Sequence, residues 1–365
     1  MDASAWGEPF LRDGVEQTYP DHPRPKLAYP FEQGPKTGEA IEVAPGVKWL
    51  RMPLGGALAF INVWAIDDGP DSVAIVDTGL GGQATQAAWR AAFAGPLAGK
   101  TVTRVFVTHM HPDHIGMAGW LTRKFECRLW ISRLEFLMCR SLAADTGREA
   151  PADALSFFRA AGWDDEALET YKARFGGFGR ALHALPDSFQ RLSDGDAVQI
   201  GEHLWRVVIG SGHSPEHACL WSSELKTIIT GDQVLPRISS NVSVFPTEPN
   251  GDPLTDWLTS LARIKTQVPD DVLVLPAHND PFHGLHARID HLIGGHERGL
   301  ARLRALIAEP RRAVDVFRAL FRRQIDANLL GLATGESLAH LNCLIARGQA
   351  SRTRDADGID WYQAA

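Results

Sequence analysis

The sequence predicts an α/β fold with a helical insertion and a small, mostly helical module at its C-terminal end. Three observations predict it. First, short β-type runs recur at 47–51, 58–66, 73–76, 105–107, 127–131, 197–200, 204–209, 226–230 and 272–275, with helical stretches at 83–94, 115–125 and 254–265 between them. Alternation of this kind is the pattern of a layered α/β domain. Second, residues 133–183 read as helix almost throughout (134–144, 152–161, 165–175) until Gly176, Gly177 and Gly179 break the pattern. Third, helical stretches at 285–308, 312–327 and 335–347 end in a strand-like tail with a turn at Asp357-Gly358. These features divide the chain into an N-terminal arm (1–45), a main domain (46–295, carrying the insertion 133–185) and a C-terminal module (296–365).

The arm is rich in proline (Pro9, Pro20, Pro23, Pro25, Pro30, Pro35) and reads as an irregular surface segment. At 365 residues the chain is long enough for a large core plus an appended module. Its net charge of −7 argues against a nucleic-acid binder. Cys127, Cys139, Cys219 and Cys343 are scattered and form no Cys-x-x-Cys pair, so neither a disulfide framework nor a thiolate zinc site is expected. No basic region followed by an apolar run opens the chain, and no stretch reaches the ~18 apolar residues of a membrane span. A soluble, cytoplasmic protein is expected, with a homodimer compatible with it.

The densest chemistry lies at 103–117. Val105, Phe106 and Val107 form an apolar β-run, and His109, His111, Asp113 and His114 follow within six residues. Imidazole nitrogen and carboxylate oxygen suit zinc and other borderline divalent metals. In extended backbone, residues two apart point the same way, so His109 and His111 can grip one ion. Pro112 biases His111 towards extended geometry and suits the first turn of a helix. Asp113 and His114 would lie on that turn and aim at a second point. Two sub-clusters in one loop suggest two adjacent ions.

The run Thr108 to Gly116 resembles the Thr-His-x-His-x-Asp-His-x-Gly signature of the metallo-β-lactamase superfamily, and among its members the glyoxalase-II-like hydrolases. The resemblance extends over roughly residues 45–295. It implies an αβ/βα four-layer sandwich, built from two strand-rich halves. It also implies the remaining ligands. His213, in Gly212-His213-Ser214-Pro215-Glu216-His217, matches a ligand element in which Glu216 stands where glycine is common; His217 is then a hydrogen-bonding neighbour. Asp232, after the strand at 226–230, matches the bridging carboxylate. His278 matches the last ligand; His283 and His286 compete for that place, but only His278 directly follows a strand. Asp77-Thr78-Gly79 matches an element that supports the metal site.

The implied assignment is His109, His111 and His213 on one ion, Asp113, His114 and His278 on the other, and Asp232 between them. The cofactors expected are two divalent ions, zinc first, with iron or manganese as alternatives. The implied chemistry is hydrolysis, with hydroxide held by the ions attacking a thioester, ester or lactone carbonyl of a small-molecule substrate. Asp113 and Asp232 are the catalytic carboxylates of this reading, and Asp113 can also pass a proton. The alternatives are a phosphodiesterase or nuclease using the same ions, and a non-hydrolytic iron oxygenase. Arg237 is a candidate contact for an anionic substrate group. The insertion, with Phe136, Leu137, Phe157, Phe158, Tyr171, Phe175 and Phe178, is expected to set substrate choice. Some relatives carry a winged-helix-like C-terminal module, which the segment 296–365 suggests. Its eight arginines between 298 and 323 are expected to form a solvated or internally paired face rather than a nucleic-acid site.

Overall fold

The computed structural model describes residues 24–322 and 324–365. The first 23 residues of the expected arm, with Pro9, Pro20 and Pro23, lie outside the described residues. The rest of the arm is not wholly irregular. Ala28 exchanges main-chain hydrogen bonds with His283, at 3.2 and 2.8 Å. Strand β1 (Ile41–Ala44) then forms a hairpin with β2 (Val47–Pro53). Gly46 makes that two-residue turn at positive φ.

The chain continues through β3 (Phe60–Asp67), β4 (Ser72–Val76), α1 (Gln83–Ala94) and β5 (Thr101–Phe106). The histidine loop follows, then α2 (Pro112–Ile115), α3 (Ala118–Phe125) and β6 (Arg128–Ser132). The insertion supplies α4 (Arg133–Ala144), α5 (Ala152–Ala160) and α6 (Asp165–Arg174). Next come β7 (Gln190–Leu192), β8 (Ala197–Ile200), β9 (His203–Gly210), β10 (His217–Ser222) and β11 (Thr227–Gly231). The last elements are α7 (Pro253–Gln267), β12 (Leu273–Pro276), α8 (Leu285–Leu306), α9 (Phe317–Leu320), α10 (Leu330–Ala346), β13 (Ala350–Arg354) and β14 (Asp360–Ala364).

Three expectations needed revision. The helix expected over 115–125 is split at Gly116–Met117. The Met117 N–H leaves the helical ladder and reaches Gly79 O and Thr78 Oγ1, each at 3.1 Å. A Cβ on Gly116 would meet Gly81 N at 2.2 Å, so only glycine lets the chain pass this close. The helix expected over 312–327 shrinks to one 3-10 turn (Ala313–Val316) and α9, because Phe321 is extended; the first-turn Val314 N–H bonds Ala161 O in the insertion. Strand β10 was not expected, because its first residue, His217, closes the histidine element at 212–217.

Strands β1 to β7 form one sheet in sequence order, and β12-β11-β10-β9-β8 form a second. The period of two along each strand assigns the faces. In β4, Val73 and Ile75 pack with Trp89 and Leu121 on the helical side, while Ala74 and Val76 face the other sheet. In β11, Ile228 packs on Trp257 and Leu261 of α7, and Ile229 faces inward. The inner layer holds Trp49, Trp64, Phe106, Trp205, Leu220 and Leu275, all buried. Helix, sheet, sheet, helix is therefore the order of layers. Strands covered on both faces read as continuous apolar runs, which is how residues 73–76 of β4 and 273–275 of β12 look in the sequence.

The insertion divides its aromatic residues between two cores. Phe136 of α4 stacks on Phe189 at 4.2 Å beneath the first sheet. Phe158 stacks on Trp163 at 4.2 Å, with Tyr171 and Leu168, against Val314 and Leu330 of the C-terminal segment. Trp163 Nε1–H donates to Thr334 Oγ1 at 2.9 Å, so the insertion is tied to α10. Leu137 alone of that aromatic and aliphatic set is well exposed. The hairpin β13–β14 closes the C-terminal segment, whose arginines are largely committed: Arg312 pairs with Asp315 and Arg302 Nε–H donates to Ala319 O. No helix among the described residues is long and apolar enough to cross a membrane.

Helices α8 and α10 meet through a buried histidine pair. His340 Nδ1–H donates to Glu336 O (2.8 Å), His296 Nδ1–H donates to His340 Nε2 (3.2 Å), and Ser239 Oγ lies 3.3 Å from His296 Nε2. The shared contact leaves room for one proton between the two rings, so at least one imidazole is neutral, and burial pushes His296 down to about 3 and His340 to about 4. The unfolded chain takes up these protons below ~6.5, whereas the folded chain refuses them until far lower pH. Stability is thus retained above pH ~6.5 and falls as the pH drops, by up to ~1.4 kcal/mol per pH unit for each histidine. Urea midpoints measured from pH 7.5 to 5 should fall, and fall less steeply in a His296→Gln/His340→Gln variant. Equal slopes would show that the pair does not carry the acid sensitivity.

Candidate metal centre

Asp77, His109, His213, Asp232 and His278 all stand just beyond the C-terminal end of a strand: β4, β5, β9, β11 and β12. The two sheets thus bring their loop-bearing edges to one place, although the residues are far apart in sequence. Asp113 and His114 arrive on α2, whose first residue is Pro112. All except the half-buried His111 are buried.

Two groups form. His109 Nε2 lies 2.9 Å from His111 Nδ1 and 3.2 Å from His213 Nε2, and His213 Nε2 lies 3.4 Å from Asp232 Oδ2. In the second group His278 Nε2 lies 3.3 Å from Asp113 Oδ2, and His114 Nε2 lies 3.6 Å from the same oxygen. Asp232 Oδ1 is 3.5 Å from both His114 Nε2 and His278 Nε2. One oxygen of Asp232 therefore faces each group. Ligands at ~2.0–2.1 Å around a tetrahedral ion stand about 3.3 Å apart, which is the spacing seen here.

The donor set fits cations for a second reason. His114 donates its Nδ1–H to Asp77 Oδ2 (2.8 Å), which leaves Nε2 as the ring atom aimed at two carboxylates. Neither His114 Nε2 nor Asp232 Oδ1 has a hydrogen-bond partner, and both are buried. A buried ring nitrogen set between two carboxylates calls for positive charge there, as a proton on the ring or as a cation in its place. His213 is oriented in the same way, its Nδ1–H donated to Asn241 O at 2.7 Å. A ligand histidine is normally fixed by such a bond from its other nitrogen.

The electrostatics divide along the same line. Burial, reinforced by neighbouring imidazoles, holds His109 well below the usual histidine range; His111 is pushed down to about 3 by burial and His213. These rings are neutral and ready to ligate. Burial would also strip His114 and His278 of their protons, but Asp113 and Asp232, with Asp77 beside His114, outweigh it and raise both. Burial raises the carboxyls too, yet these histidines hold Asp113 low and Asp232 well below the carboxylate range.

The supporting residues fall into place around this. Asp77, at φ 60°, accepts from Thr108 N–H (2.8 Å), Thr108 Oγ1 (2.9 Å) and His114. His217 accepts the Asp232 N–H on Nε2 at 3.1 Å, so it holds the Asp232 loop and keeps that nitrogen out of the cluster. A Cβ on Gly231 would lie 2.5 Å from His217 Nε2, so this turn requires glycine. Arg237 is exposed, pairs with Asp280 Oδ2 (3.2 Å) and lies 5.0 Å over the Tyr29 ring. His283 and His286 spend ring nitrogens on Val272 O and Val268 O and stay outside the cluster. Glu216 accepts the Leu134 N–H at the start of α4 (2.9 Å), which explains a glutamate where the resemblance offered glycine.

Sequence reasoning missed Glu135, Asn241 and Glu336, and gave Thr108 a place in the signature but no contact. Asn241 serves through its main-chain carbonyl, which no side-chain pattern announces, and its amide donates to Glu336 Oε2 of α10 at 2.9 Å. Glu135 did leave a signal: a carboxylate beside Phe136 and Cys139 on the buried face of α4.

The metallo-beta-lactamase superfamily model matches residues 57–278, the span that carries every residue of the two groups. The chain belongs to the metallo-beta-lactamase superfamily. A second model, the metallo-beta-lactamase-like C-terminal domain, matches residues 300–365. The fold is similar to that of a beta-lactamase domain protein from Burkholderia ambifaria, with 40% identity, a TM-score of 0.85, and 93% of this chain and 98% of that one covered. A metallo-beta-lactamase family protein from Thermus thermophilus is 26% identical, with a TM-score of 0.73 over 89% of this chain and all of its own. An uncharacterized protein of Aquifex aeolicus is 24% identical over 179 residues, 49% of this chain and 69% of that one. For a superfamily member with this cluster, metal-dependent hydrolysis is the general expectation.

Proposed function

We propose that this chain is a two-ion hydrolase of thioester, ester or lactone bonds in a small-molecule substrate. His109, His111 and His213 would hold one ion, Asp113, His114 and His278 the other, and Asp232 would serve both. The observation that carries the reading is the pair of Asp232 oxygens, one turned to each group at 3.4 and 3.5 Å. Zinc is the first choice for this set of imidazoles and carboxylates. Two ions bound there supply Lewis acidity for the carbonyl and a nucleophile from water at neutral pH.

The chain's own residues set the geometry. Asp77 fixes the His114 tautomer, Asn241 fixes that of His213, and His217 fixes the Asp232 main chain. Asp113 would turn Oδ2, the oxygen 3.3 Å from His278 Nε2, to the ion, and its second oxygen would be the one to take up a proton. The insertion, whose first helix follows β6 directly beside the histidine loop, is the segment we assign to substrate choice. Free cysteines fit a reducing, cytoplasmic setting.

The test is a set of initial rates on one zinc-loaded preparation with an acyl-thioester, an acyl-lactone and a bis-aryl phosphate diester, each repeated with a chelator. The expected result is a chelator-sensitive rate that is highest on the thioester or lactone. A highest rate on the diester would overturn the reading in favour of a phosphodiesterase. No chelator-sensitive rate on any of them would overturn it in favour of non-hydrolytic chemistry.

A further inference from the structure

Glu135 is fully buried on α4, and the groups that answer its carboxylate lie on two different loops of the metal centre. Oε2 accepts the main-chain N–H of Met110 at 2.9 Å, and Met110 stands between His109 and His111. Oε1 accepts the main-chain N–H of Glu216 at 2.8 Å, in the turn that begins with His213. The turn replies to the helix. Glu216 Oε2 accepts the Leu134 N–H (2.9 Å), and Ser132 Oγ–H donates to Glu216 O (2.7 Å). Burying a carboxylate is costly, and packing alone offers no reason for one here. Its two oxygens tie the His109–His111 loop of the first sheet to the His213 turn of the second.

The second group is braced from elsewhere. Asp77 holds the His114 ring, while Thr78 N–H and Oγ1 both donate to His114 O, at 2.8 and 2.7 Å. Asp77 also reaches the first group through Thr108, whose Oγ1 lies 3.1 Å from His109 Nδ1, whereas the two main-chain bonds of Glu135 go to the loops of the first group.

We propose that Glu135 is a positioning residue for the three-histidine half of the centre: it sets the separation of the two loops that carry His109, His111 and His213, and so the affinity of one ion and not the other. The inference rests on the two-ion reading above. It also gives the insertion a role in the metal centre itself, since α4 is its first helix.

The experiment is a zinc titration of chelator-stripped, full-length protein, followed by calorimetry and repeated with cobalt for its absorption spectrum. Wild type should take two equivalents. Glu135→Gln places an amide N–H against a main-chain N–H, and should weaken one equivalent by roughly 10- to 100-fold, the usual size of such supporting contacts, while leaving the other within about threefold. Asp77→Asn, which loosens the His114 ring directly and His109 only through Thr108, should weaken the opposite equivalent more than this one, with a different change in the cobalt spectrum. A structural defect alone would lower both together. Should Glu135→Gln fail to fold, Ser132→Ala removes one rung of the same ladder and should weaken the same equivalent by a smaller factor. Loss of both ions in parallel, or of neither, overturns the proposal. A wild type that takes a single equivalent overturns the two-ion reading instead; the clamp then stands if Glu135→Gln weakens that ion and falls if its affinity is unchanged.

Discussion

Asp232→Ala is expected to strip the centre of metal and reduce hydrolysis by roughly 100- to 1000-fold or more. Asp232 reaches His213 Nε2 at 3.4 Å with one oxygen and His114 and His278 Nε2 at 3.5 Å with the other, so under the two-ion proposal its loss would remove a ligand from each ion at once. Four-ligand zinc sites bind with about 10–16 kcal/mol, which gives about 3–4 kcal/mol per ligand, or two to three powers of ten. The carboxylate also balances the two imidazoles whose pKa values it helps to raise. Metal content after gel filtration and the turnover of the reloaded variant measure this. Asp232→Asn keeps the shape and one oxygen, and should fall between the two. A variant with wild-type metal content and turnover would contradict the assignment of Asp232.

Asp77→Ala should be the most damaging change that removes no ligand. Three donors would be left without their acceptor in a dry site: Thr108 N–H, Thr108 Oγ1–H and His114 Nδ1–H. At about 1–3 kcal/mol for each unsatisfied buried group, and about 3–5 kcal/mol for a broken buried charge pair, the fold should lose several kcal/mol. The freed His114 ring should also cost 10- to 100-fold in metal affinity. Asp77→Asn is the sharper variant. Asparagine tolerates the left-handed backbone at φ 60° but must turn its NH2 towards one of the donors. Its urea midpoint should lie between those of wild type and Asp77→Ala. A midpoint equal to wild type for the alanine variant would show that Asp77 does not brace the histidine loop.

Much of this centre could be read from the chain because its chemistry is local. Ligand-type residues stand at the ends of apolar β-runs, and in the order that the superfamily resemblance implies. The structure brings all seven into two groups, and places Asp77 and His217 beside them. What could not be read is contact between distant segments. Asn241 acts through a carbonyl, Glu336 reaches it from 95 residues away, and Glu135 joins two loops that no periodicity links. The strand at His217–Ser222 was concealed because its first residue doubled as a motif histidine. The helix expected over 312–327 stops at Leu320 because Phe321 turns extended, while Val314, in the first turn where an N–H has no helical partner, bonds Ala161 O of the insertion. Arg237 shows the same limit, since its charge is answered by Asp280, which lies two residues after His278.

The most direct test of the whole account is the number of zinc ions that the wild-type, full-length chain binds. Elemental analysis of protein dialysed against metal-free buffer after zinc loading should give two ions per chain, with hydrolysis of a thioester or lactone lost when a chelator removes them. One ion per chain, or hydrolysis that persists in chelated, metal-free protein, would contradict it.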